Sequence, residues 1–467
     1  MSLPGCSPPP GRRSPERPPP VAGAGTGPAG ELLRLSGPML LGNLFQQLYY
    51  LTDIWIIGRF LGQDATAAVG AVMPAVNLLL TLLIGLAGGA SVLFSQRAGA
   101  GDQAGERRCV ETAAVLWLAA SAAVTALGLT LSRPAVTALG VPPALREPAL
   151  RYLTMVFAGT VFNSGYNTLA ALRRGAGDAV RPMLFLAASA GANIALDYLF
   201  LVPLGLGTAG AALATALAQA MACAGLYRSV LRTSSLYRLR PGRVRPAAED
   251  VRAILRLGLP AALQQAAACL AAFAAQIMVN SLGPQMIAGY AVALRVENFV
   301  VLPAVSLEHS VCSLTGRSVG AGREDWISKA LGWALAFSAV LGGGLFLLFQ
   351  SHSGAVISLF LPGAGEAARL GGAYLAGAGA GYWALLCTYA LGGVFRGRGR
   401  AAVPLAAALL GSWLIRLPVT WLLLRRGGGA DALWLGAVLG WLAGLFLELA
   451  VLVRDRRRNT RKRSCSI

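Results

Sequence analysis

Histidine and cysteine are scarce in this sequence, and neither follows a pattern that binds metal. The 467 residues include two histidines and seven cysteines, and no pair of cysteines is spaced as CxxC. Zinc sites and haem attachment sites need such spacings, so both are excluded. A nucleophile–base pair, a metal motif and a phosphate-binding loop are also missing, which argues against an enzyme. We therefore expect neither catalysis nor a cofactor.

Charged residues are few as well, and most of them are basic. They form 13% of the chain, whereas a typical soluble protein has about 25%. Hydrophobic residues form 55% and the mean hydropathy is +0.60. This composition excludes a soluble enzyme and predicts an integral membrane protein with many spans. The net charge of +20 would indicate nucleic acid only in a soluble chain, so we expect no nucleic-acid partner.

Twelve apolar segments are long enough to cross a bilayer, since one span needs roughly 20 apolar residues. They cover about 38–61, 66–95, 110–132, 149–172, 182–203, 206–229, 253–281, 285–314, 329–350, 367–395, 401–424 and 431–453. The sequence therefore predicts an all-α integral membrane protein with twelve transmembrane helices.

The positions of the basic residues predict the orientation of these spans. Most of the 40 Lys and Arg residues fall on one side when the spans alternate, and this side is normally cytoplasmic. We expect a multi-pass protein of the cell inner (plasma) membrane with both termini in the cytoplasm. Residues 1–30 are rich in Pro and Gly and predict a disordered tail, and residues 454–467 form a basic tail.

The two halves of the chain repeat each other. Four landmarks recur at an offset of 221 or 222 residues, namely Pro38 and Pro260, Leu61-Gly62 and Leu282-Gly283, Gly99 and Gly320, and Arg174-Gly175 and Arg396-Gly397. Six spans in each half give a parallel repeat of two six-helix bundles, which suits alternating access. We assign an N-lobe to 31–229, a cytoplasmic linker to 230–252 and a C-lobe to 253–453. A duplication without transport is the alternative.

Five acidic residues fall inside predicted spans, where an ionisable group is a candidate for function. They are Asp53, Asp197, Glu297, Glu308 and Glu448. Asp53 follows Pro38 by 15 residues and Asp197 follows Pro182 by 15 residues. Both helices run in the same direction, so both carboxyl groups lie about 22 Å beyond their prolines. We expect Asp53 and Asp197 to act together.

Amide and hydroxyl side chains accompany these two aspartates in the N-terminal half. Asn193 lies one helical turn before Asp197, Thr215 lies on the next helix, and helix 4 carries Asn163 and Asn167. Such oxygen groups suit a proton or a sodium ion. The alternative is that they join the helices by hydrogen bonds.

The other three acids have simpler explanations. The expected neighbours are His309 for Glu308, Arg416 for Glu297 and Arg454 for Glu448. An acid beside a histidine is able to relay protons, or it is an ordinary pair near a helix end. Glu297 is expected to form a structural charge pair, and Glu448 is expected to extend to the interface or to pair there.

Aromatic residues on helices 1, 4 and 10 are candidates to line a cavity for flat organic cations through cation–π contacts. Interfacial belts and ordinary packing explain most of them equally well. We assign Tyr49, Asn163, Asn167 and Tyr166 to the substrate cavity.

Several segments resemble the multidrug and toxic compound extrusion (MATE) transporters over about residues 31–455. They are QQLYYLTDIWIIGRFLGQDATAAVGAVMP, SQRAGAGD, RRGAGDAVRP and NIALDYLFLVPLGLGTAGAALATALAQ. The resemblance implies secondary active export of cationic, amphiphilic compounds, driven by inward flow of protons or sodium.

The resemblance also implies a cation site. In the DinF-like branch it lies in the N-lobe, and its residues match Asp53, Asn193, Asp197 and Thr215, which would also be the place for sodium. Pro38 matches a proline linked to bending of helix 1. The NorM-like branch carries an acid on helix 7, and the segment after Pro260 has none.

The expected function is therefore efflux by antiport, in a monomer whose partners are small cationic organic substrates and the lipid bilayer. The alternative is a flippase or exporter of lipid-linked saccharides, or of another metabolite, in the same superfamily.

Overall fold

The computed structural model describes residues 27–233, 237–238, 246–361, 363 and 365–464. In these residues helices are the regular secondary structure. They are α1 (Pro28–Ala100), α2 (Gln103–Ala138), α3 (Pro143–Gly175), α4 (Val180–Leu201), α5 (Gly207–Thr233), α6 (Ala248–Asn280), α7 (Pro284–Gly320), α8 (Glu324–Ser358), α9 (Gly365–Gly379), α10 (Tyr382–Gly397), α11 (Ala402–Leu409), a π-helical segment (Leu410–Arg416), α12 (Leu417–Arg425) and α13 (Asp431–Ser464).

These helices make twelve spans, which confirms the predicted fold class. The long helix α1 contains two spans, because Gly62 breaks it with φ 86° and ψ −177°. The pair α9 and α10 bends by 52° and forms one span. The helices α11 and α12 continue into each other through the π-helical segment and form another. The N-bundle comprises α1–α5, and the C-bundle comprises α6–α13.

The turns between the spans repeat in the two halves. Twelve glycines in the described residues have positive φ. They form six pairs at nearly constant offset: Gly62 and Gly283, Gly101 and Gly322, Gly140 and Gly363, Gly177 and Gly399, Gly205 and Gly427, and Gly207 and Gly429. Positive φ is costly for other residues, so glycine at these turns preserves their geometry. The internal repeat is therefore a repeat of backbone conformation as well as of sequence.

The two bundles meet through glycines on α1 and α6. A Cβ on Gly89 would lie 2.5 Å from the carbonyl oxygen of Ile254, and one on Gly258 would lie 2.6 Å from that of Gly85. Small residues allow helix backbones to approach this closely in membranes. The second span of α1 is thereby held directly against the first helix of the C-bundle.

An even number of spans places both described ends of the chain on one side, here called the termini side. The predicted tail 1–30 lies outside the described residues up to residue 26, and α1 begins at Pro28. Of the predicted linker 230–252, α5 extends to Thr233 and α6 begins at Ala248, and 234–236 and 239–245 lie outside the described residues. In the predicted tail 454–467, α13 continues to Ser464.

Candidate functional site

Asp53 and Asp197 lie together inside the N-bundle. Asp53 is 7% exposed, and Asp197 and Asn193 are 1% and 0% exposed. The Asp197 carboxyl group has two polar neighbours, the Asp53 carboxyl group and the Asn193 amide group. Both oxygens of Asp197, one of Asp53 and both amide atoms of Asn193 are buried without a hydrogen-bond partner. Buried polar groups normally have partners, so this cluster suits a bound proton or cation.

Thr215 and Tyr49 stand beside this cluster. The Tyr49 hydroxyl group donates a hydrogen bond of 2.8 Å to the Thr215 hydroxyl oxygen, which joins α1 to α5. Both residues and Asp53 line a cavity of about 120 Å³. The cavity therefore connects directly to one carboxyl group of the pair, whereas Asp197 and Asn193 lie behind it.

The other residues assigned to the substrate cavity lie elsewhere in the N-bundle. The Asn167 amide nitrogen donates to the backbone and side-chain oxygens of Asn163, at 3.0 and 3.1 Å. The buried Tyr166 hydroxyl group donates to the carbonyl oxygen of Pro182 at 2.8 Å. None of Asn163, Tyr166 and Asn167 is among the residues that line the described cavity.

The cavity wall includes residues that the sequence analysis did not assign to it. They are Tyr50, Ile54, Ile57, Thr66, Val69, Gly70, Met73 and Tyr152. The spacing of the wall residues in the second span of α1 could have indicated them. Thr66, Val69 or Gly70, and Met73 recur every three to four residues and so lie on one helical face. The result is a cavity with one carboxyl group, three tyrosines and an apolar wall.

Pro38 lies in the first span of α1, which stays helical from residue 28 to residue 61. Proline lacks the N–H that would bond to the carbonyl group one turn earlier, so it weakens the helix at this point. The bending role of Pro38 stays a prediction.

Glu297 and Arg416 lie near enough for their charges to interact, but they do not form a direct ion pair among those of the described residues, and each side chain contacts a tyrosine instead. The Tyr374 hydroxyl group donates to Glu297 at 3.0 Å. Arg416 lies 3.5 Å from the Tyr290 hydroxyl oxygen, and the rings of Tyr290 and Tyr374 meet edge to face at 4.9 Å. The acid and the base are thus linked through two rings in the C-bundle.

Glu308 is paired with an arginine of another helix, and not with its neighbour His309. Its carboxyl oxygen lies 3.0 Å from an Arg396 guanidinium nitrogen. Arg396 also donates to the Gln264 side-chain oxygen at 2.7 Å. The two opposite charges compensate each other, so the structure shows Glu308 in an ion pair, with a partner other than those expected from the sequence.

Glu448 does not reach the membrane interface. Its side chain is 0% exposed, and both carboxyl oxygens lack a hydrogen-bond partner. The expected pairing with Arg454 is absent from the ion pairs of the described residues. The reason is helical geometry, because six residues correspond to about 240° of rotation, so the two side chains point in different directions.

Two ion pairs on the termini side join the bundles reciprocally. Glu31, at the start of α1, pairs with Arg317, near the end of α7, at 2.6 Å. Asp250, in the first turn of α6, pairs with Arg97, near the end of α1. The hydrogen bonds that the Arg97 guanidinium group donates to the Asp250 carboxylate raise the pKa of Arg97. Each bundle therefore contributes one acid from its first helix and one arginine from its second span.

Further contacts close the same side. Gln96 donates to the carbonyl oxygen of Gly397 at 2.8 Å, and Ser313 donates to that of Arg174 at 2.6 Å. Deeper in the structure, the Asn43 amide group donates to Ser306 at 3.0 Å. These interbundle hydrogen bonds of the described residues cluster on the termini side, so this conformation is closed there.

Comparison with known proteins identifies relatives over most of the chain. It is 28% identical over 393 residues to the probable multidrug resistance protein YpnP of Bacillus subtilis, covering 84% of this chain and 87% of the relative. It is 30% identical to the probable multidrug resistance protein NorM of Pseudomonas aeruginosa, covering 87% and 85% of the two chains.

Solved structures share the fold. A MATE protein in a bent conformation has a TM-score of 0.88 at 23% identity, covering 96% of this chain and 100% of that chain. A MOP superfamily transporter from Pyrococcus furiosus has a TM-score of 0.86 at 23% identity, covering 94% and 98%. Two apolar bundles related by a repeat, a cavity beside buried carboxyl groups and a closed termini side fit such a fold. The MatE family model matches residues 38–199 and 260–422, and the chain therefore belongs to this family of membrane transporters, which are not enzymes.

Proposed function

We propose that this protein is a secondary active efflux transporter that exports cationic, amphiphilic compounds by antiport with protons or sodium ions. The observation that carries the proposal is the Asp53–Asp197 pair with its unpartnered oxygens, at the edge of an aromatic cavity. The names of the Bacillus and Pseudomonas relatives, which denote multidrug resistance, support this class of substrate. The arrangement favours the DinF-like branch, in which the N-lobe holds the cation site.

The cavity supports a cationic substrate for electrostatic reasons. Asp53 supplies a negative charge, and Tyr49, Tyr50 and Tyr152 supply ring faces for cation–π contacts. An ion on Asp53 and Asp197 removes that negative charge, so ion and substrate compete for the same group. A ligand shifts a conformational equilibrium only through different affinity for the two states, and this competition provides the difference. Asn193 and Thr215 would orient the carboxyl pair.

The termini side is proposed to be the cytoplasmic face of the plasma membrane, because most Lys and Arg residues lie there. The closed contacts of Glu31 with Arg317 and of Arg97 with Asp250 then belong to the state that faces outwards. Ion uptake from outside would precede the opening of these contacts.

The first experiment compares Asp53→Asn and Asp197→Asn with Asp64→Asn, an exposed aspartate on the same helix as Asp53. Cells that lack other efflux pumps express each variant, and growth is measured with ethidium. We expect both buried variants to lose resistance at normal expression, whereas Asp64→Asn keeps it. Full resistance in both buried variants would contradict the site assignment.

The second experiment identifies the ion. Purified protein in vesicles transports ethidium under a proton gradient or a sodium gradient, imposed separately. Transport under one gradient only identifies the coupling ion. Transport under neither would favour the alternative, an exporter of lipid-linked saccharides or another metabolite, for which a wide basic cavity would be required.

A further inference from the structure

Glu448 is the one acid of the C-bundle core whose carboxyl group has no partner among the described residues. It lies on α13, fully buried, with both oxygens free of hydrogen bonds. The charges that act on it are those of Glu308, from α7, and Arg396, from α10. The ion pair of these two residues measures 3.0 Å. The Glu448 carboxyl group is therefore a third ionisable group beside the Glu308–Arg396 pair, whose two charges already cancel.

Gly392 separates the two carboxyl groups. A Cβ at this position of α10 would lie 3.2 Å from one oxygen of Glu308 and 3.8 Å from one oxygen of Glu448. Gly392 has no side chain to stand between the two acids, so both carboxyl groups lie near the same point of the α10 backbone. The same Cβ would lie 3.8 Å from the Cβ of Pro404, from α11.

The net charge of Glu308, Glu448 and Arg396 together decides whether Glu448 carries a proton. With Glu308, Glu448 and Arg396 all ionised, the cluster would carry one net negative charge in the membrane interior. Burying a charge without a partner is expensive, and the group takes up a proton instead. One proton on Glu448 makes the cluster neutral and leaves the Glu308–Arg396 pair intact.

A metal ion fits this cluster less well than a proton. The guanidinium group of Arg396 already lies against Glu308 and would repel a cation. Among the described residues, no group of three or more potential ligands of the His, Cys, Asp and Glu types is positioned for a metal. Arg416, the base of the π-helical segment that packs on α13, lies beside Gly440, two helical turns away from Glu448.

We propose that Glu448, Glu308 and Arg396 form a second proton-binding site, in the C-bundle, that exchanges one proton with the termini side. The exchange forms and breaks only the O–H bond of the Glu448 carboxyl group, and water on the termini side supplies and accepts the proton. Arg396 keeps Glu308 ionised, so the site holds one proton and not two. The role of this site in transport rests on the antiport function proposed above.

Infrared difference spectroscopy of the full-length protein in lipid nanodiscs tests the protonation state. At neutral pH we expect a carbonyl band of a protonated carboxyl group that is absent from Glu448→Gln and shifts in heavy water. The matched control is Glu147→Gln, because Glu147 is exposed and pairs with Arg151 on its own helix. The band should remain in that control and in Asp53→Asn. Spectra of wild type and Glu448→Gln that do not differ would overturn the proposal.

A pH titration of the same band tests exchange. We expect the band to disappear reversibly at alkaline pH while the protein stays folded by circular dichroism. A band that persists until the protein unfolds would mean a permanent structural proton and would also overturn the proposal. Arg396→Gln should show a second protonated carboxyl group, because Glu308 then loses its counter-ion.

Transport in vesicles separates this proposal from the proposed function. Under a proton gradient, we expect Glu448→Gln to lose ethidium transport to the level of protein-free vesicles, with Glu147→Gln unchanged. If the wild-type protein transports no ethidium although its Glu448 carboxyl band titrates, the result contradicts the antiport function alone. Wild type that transports, with full activity in Glu448→Gln, contradicts the second proton site alone.

Discussion

The two bundles share their backbone plan but differ in where they place acids and what surrounds them. In the N-bundle, Asp53 and Asp197 lie in the half away from the termini, with amide and hydroxyl neighbours. In the C-bundle, Glu308 and Glu448 lie in the half near the termini, with Arg396 beside them. The repeat-related positions do not carry the same acids.

The features that the two bundles do share lie at their contact. The acid–arginine pairs of the termini side and the close glycines occur in both halves in corresponding helices. We infer that the symmetric features serve the opening and closing of the bundles, whereas the asymmetric acids serve ion binding. Matched substitutions at the contact between the bundles should then have similar effects in the two halves. Substitutions of the buried acids should have different effects in the two halves.

The largest expected effect is that of Arg317→Gln. Glu31 and Arg317 are 0% and 3% exposed, so removing the base leaves a buried carboxylate whose other basic neighbour, Arg34, lies 4.0 Å away. Loss of the buried partner costs this closed conformation about 3–5 kcal/mol. Arg97→Gln should cost less, about 1–3 kcal/mol, because Arg97 is partly exposed. Spin labels at Gln103 and Ser328, both exposed on the termini side, measure the opening by electron–electron resonance after replacement of the native cysteines.

The control for this pair of variants is Arg369→Gln, because Arg369 and Glu366 form an exposed pair away from the contact. It should leave the distance between the labels unchanged. Equal distances in Arg317→Gln and wild type would contradict the role of the ion pair in closing the termini side.

A somewhat smaller effect is expected from alanine at two repeat-related glycines. A Cβ on Gly99 would collide with the Arg317 carbonyl oxygen, and a Cβ on Gly320 would collide with that of Gln96. Overpacking of this kind costs about 1–3 kcal/mol, and the backbones must separate to relieve it. Gly99→Ala and Gly320→Ala should both widen the distance between the spin labels, by similar amounts.

Gly88→Ala and Gly332→Ala are the matched controls, since a Cβ there meets nothing within 4 Å. If the distance between the spin labels widened in only one of Gly99→Ala and Gly320→Ala, the two close contacts would not contribute equally to closing the termini side.

The smallest expected effect is that of Gly392→Ala. Its Cβ would lie 3.2 Å from Glu308, which a flexible carboxylate tolerates with a cost below about 1.5 kcal/mol. The methyl group would also lie between the carboxyl groups of Glu308 and Glu448, at 3.2 and 3.8 Å from their oxygens, and obstruct proton movement there. The alkaline titration of the Glu448 carboxyl band should therefore become slower, with thermal stability nearly unchanged. A titration as fast as that of wild type would mean that protons do not reach Glu448 past Gly392.

The sequence predicts much of the fold because the decisive signals are local or regularly repeated. Apolar runs of the right length give the spans, and Gly62 and Gly283 mark corresponding turns. The approach of Asp53 to Asp197 follows from equal distances to Pro38 and Pro182 along parallel helices.

The contacts that sequence analysis missed join residues far apart in the chain. Nothing near Glu448 on α13 indicates that it faces Glu308 on α7, and the nearest base in sequence, Arg454, points elsewhere. Glu31 and Arg317 are 286 residues apart. Such pairs depend on how the helices pack, and packing is not encoded in the spacing of one helix.

The reciprocal ion pairs also say something about the origin of the molecule. The N-bundle alone contains both Glu31 and Arg97, and the C-bundle alone contains both Asp250 and Arg317. Two copies of either six-helix half, related by a two-fold axis, would therefore bring an acid opposite an arginine twice. Each half retains the charge complement of a symmetric homodimer, as expected of an ancestor that assembled in pairs before its two copies were fused.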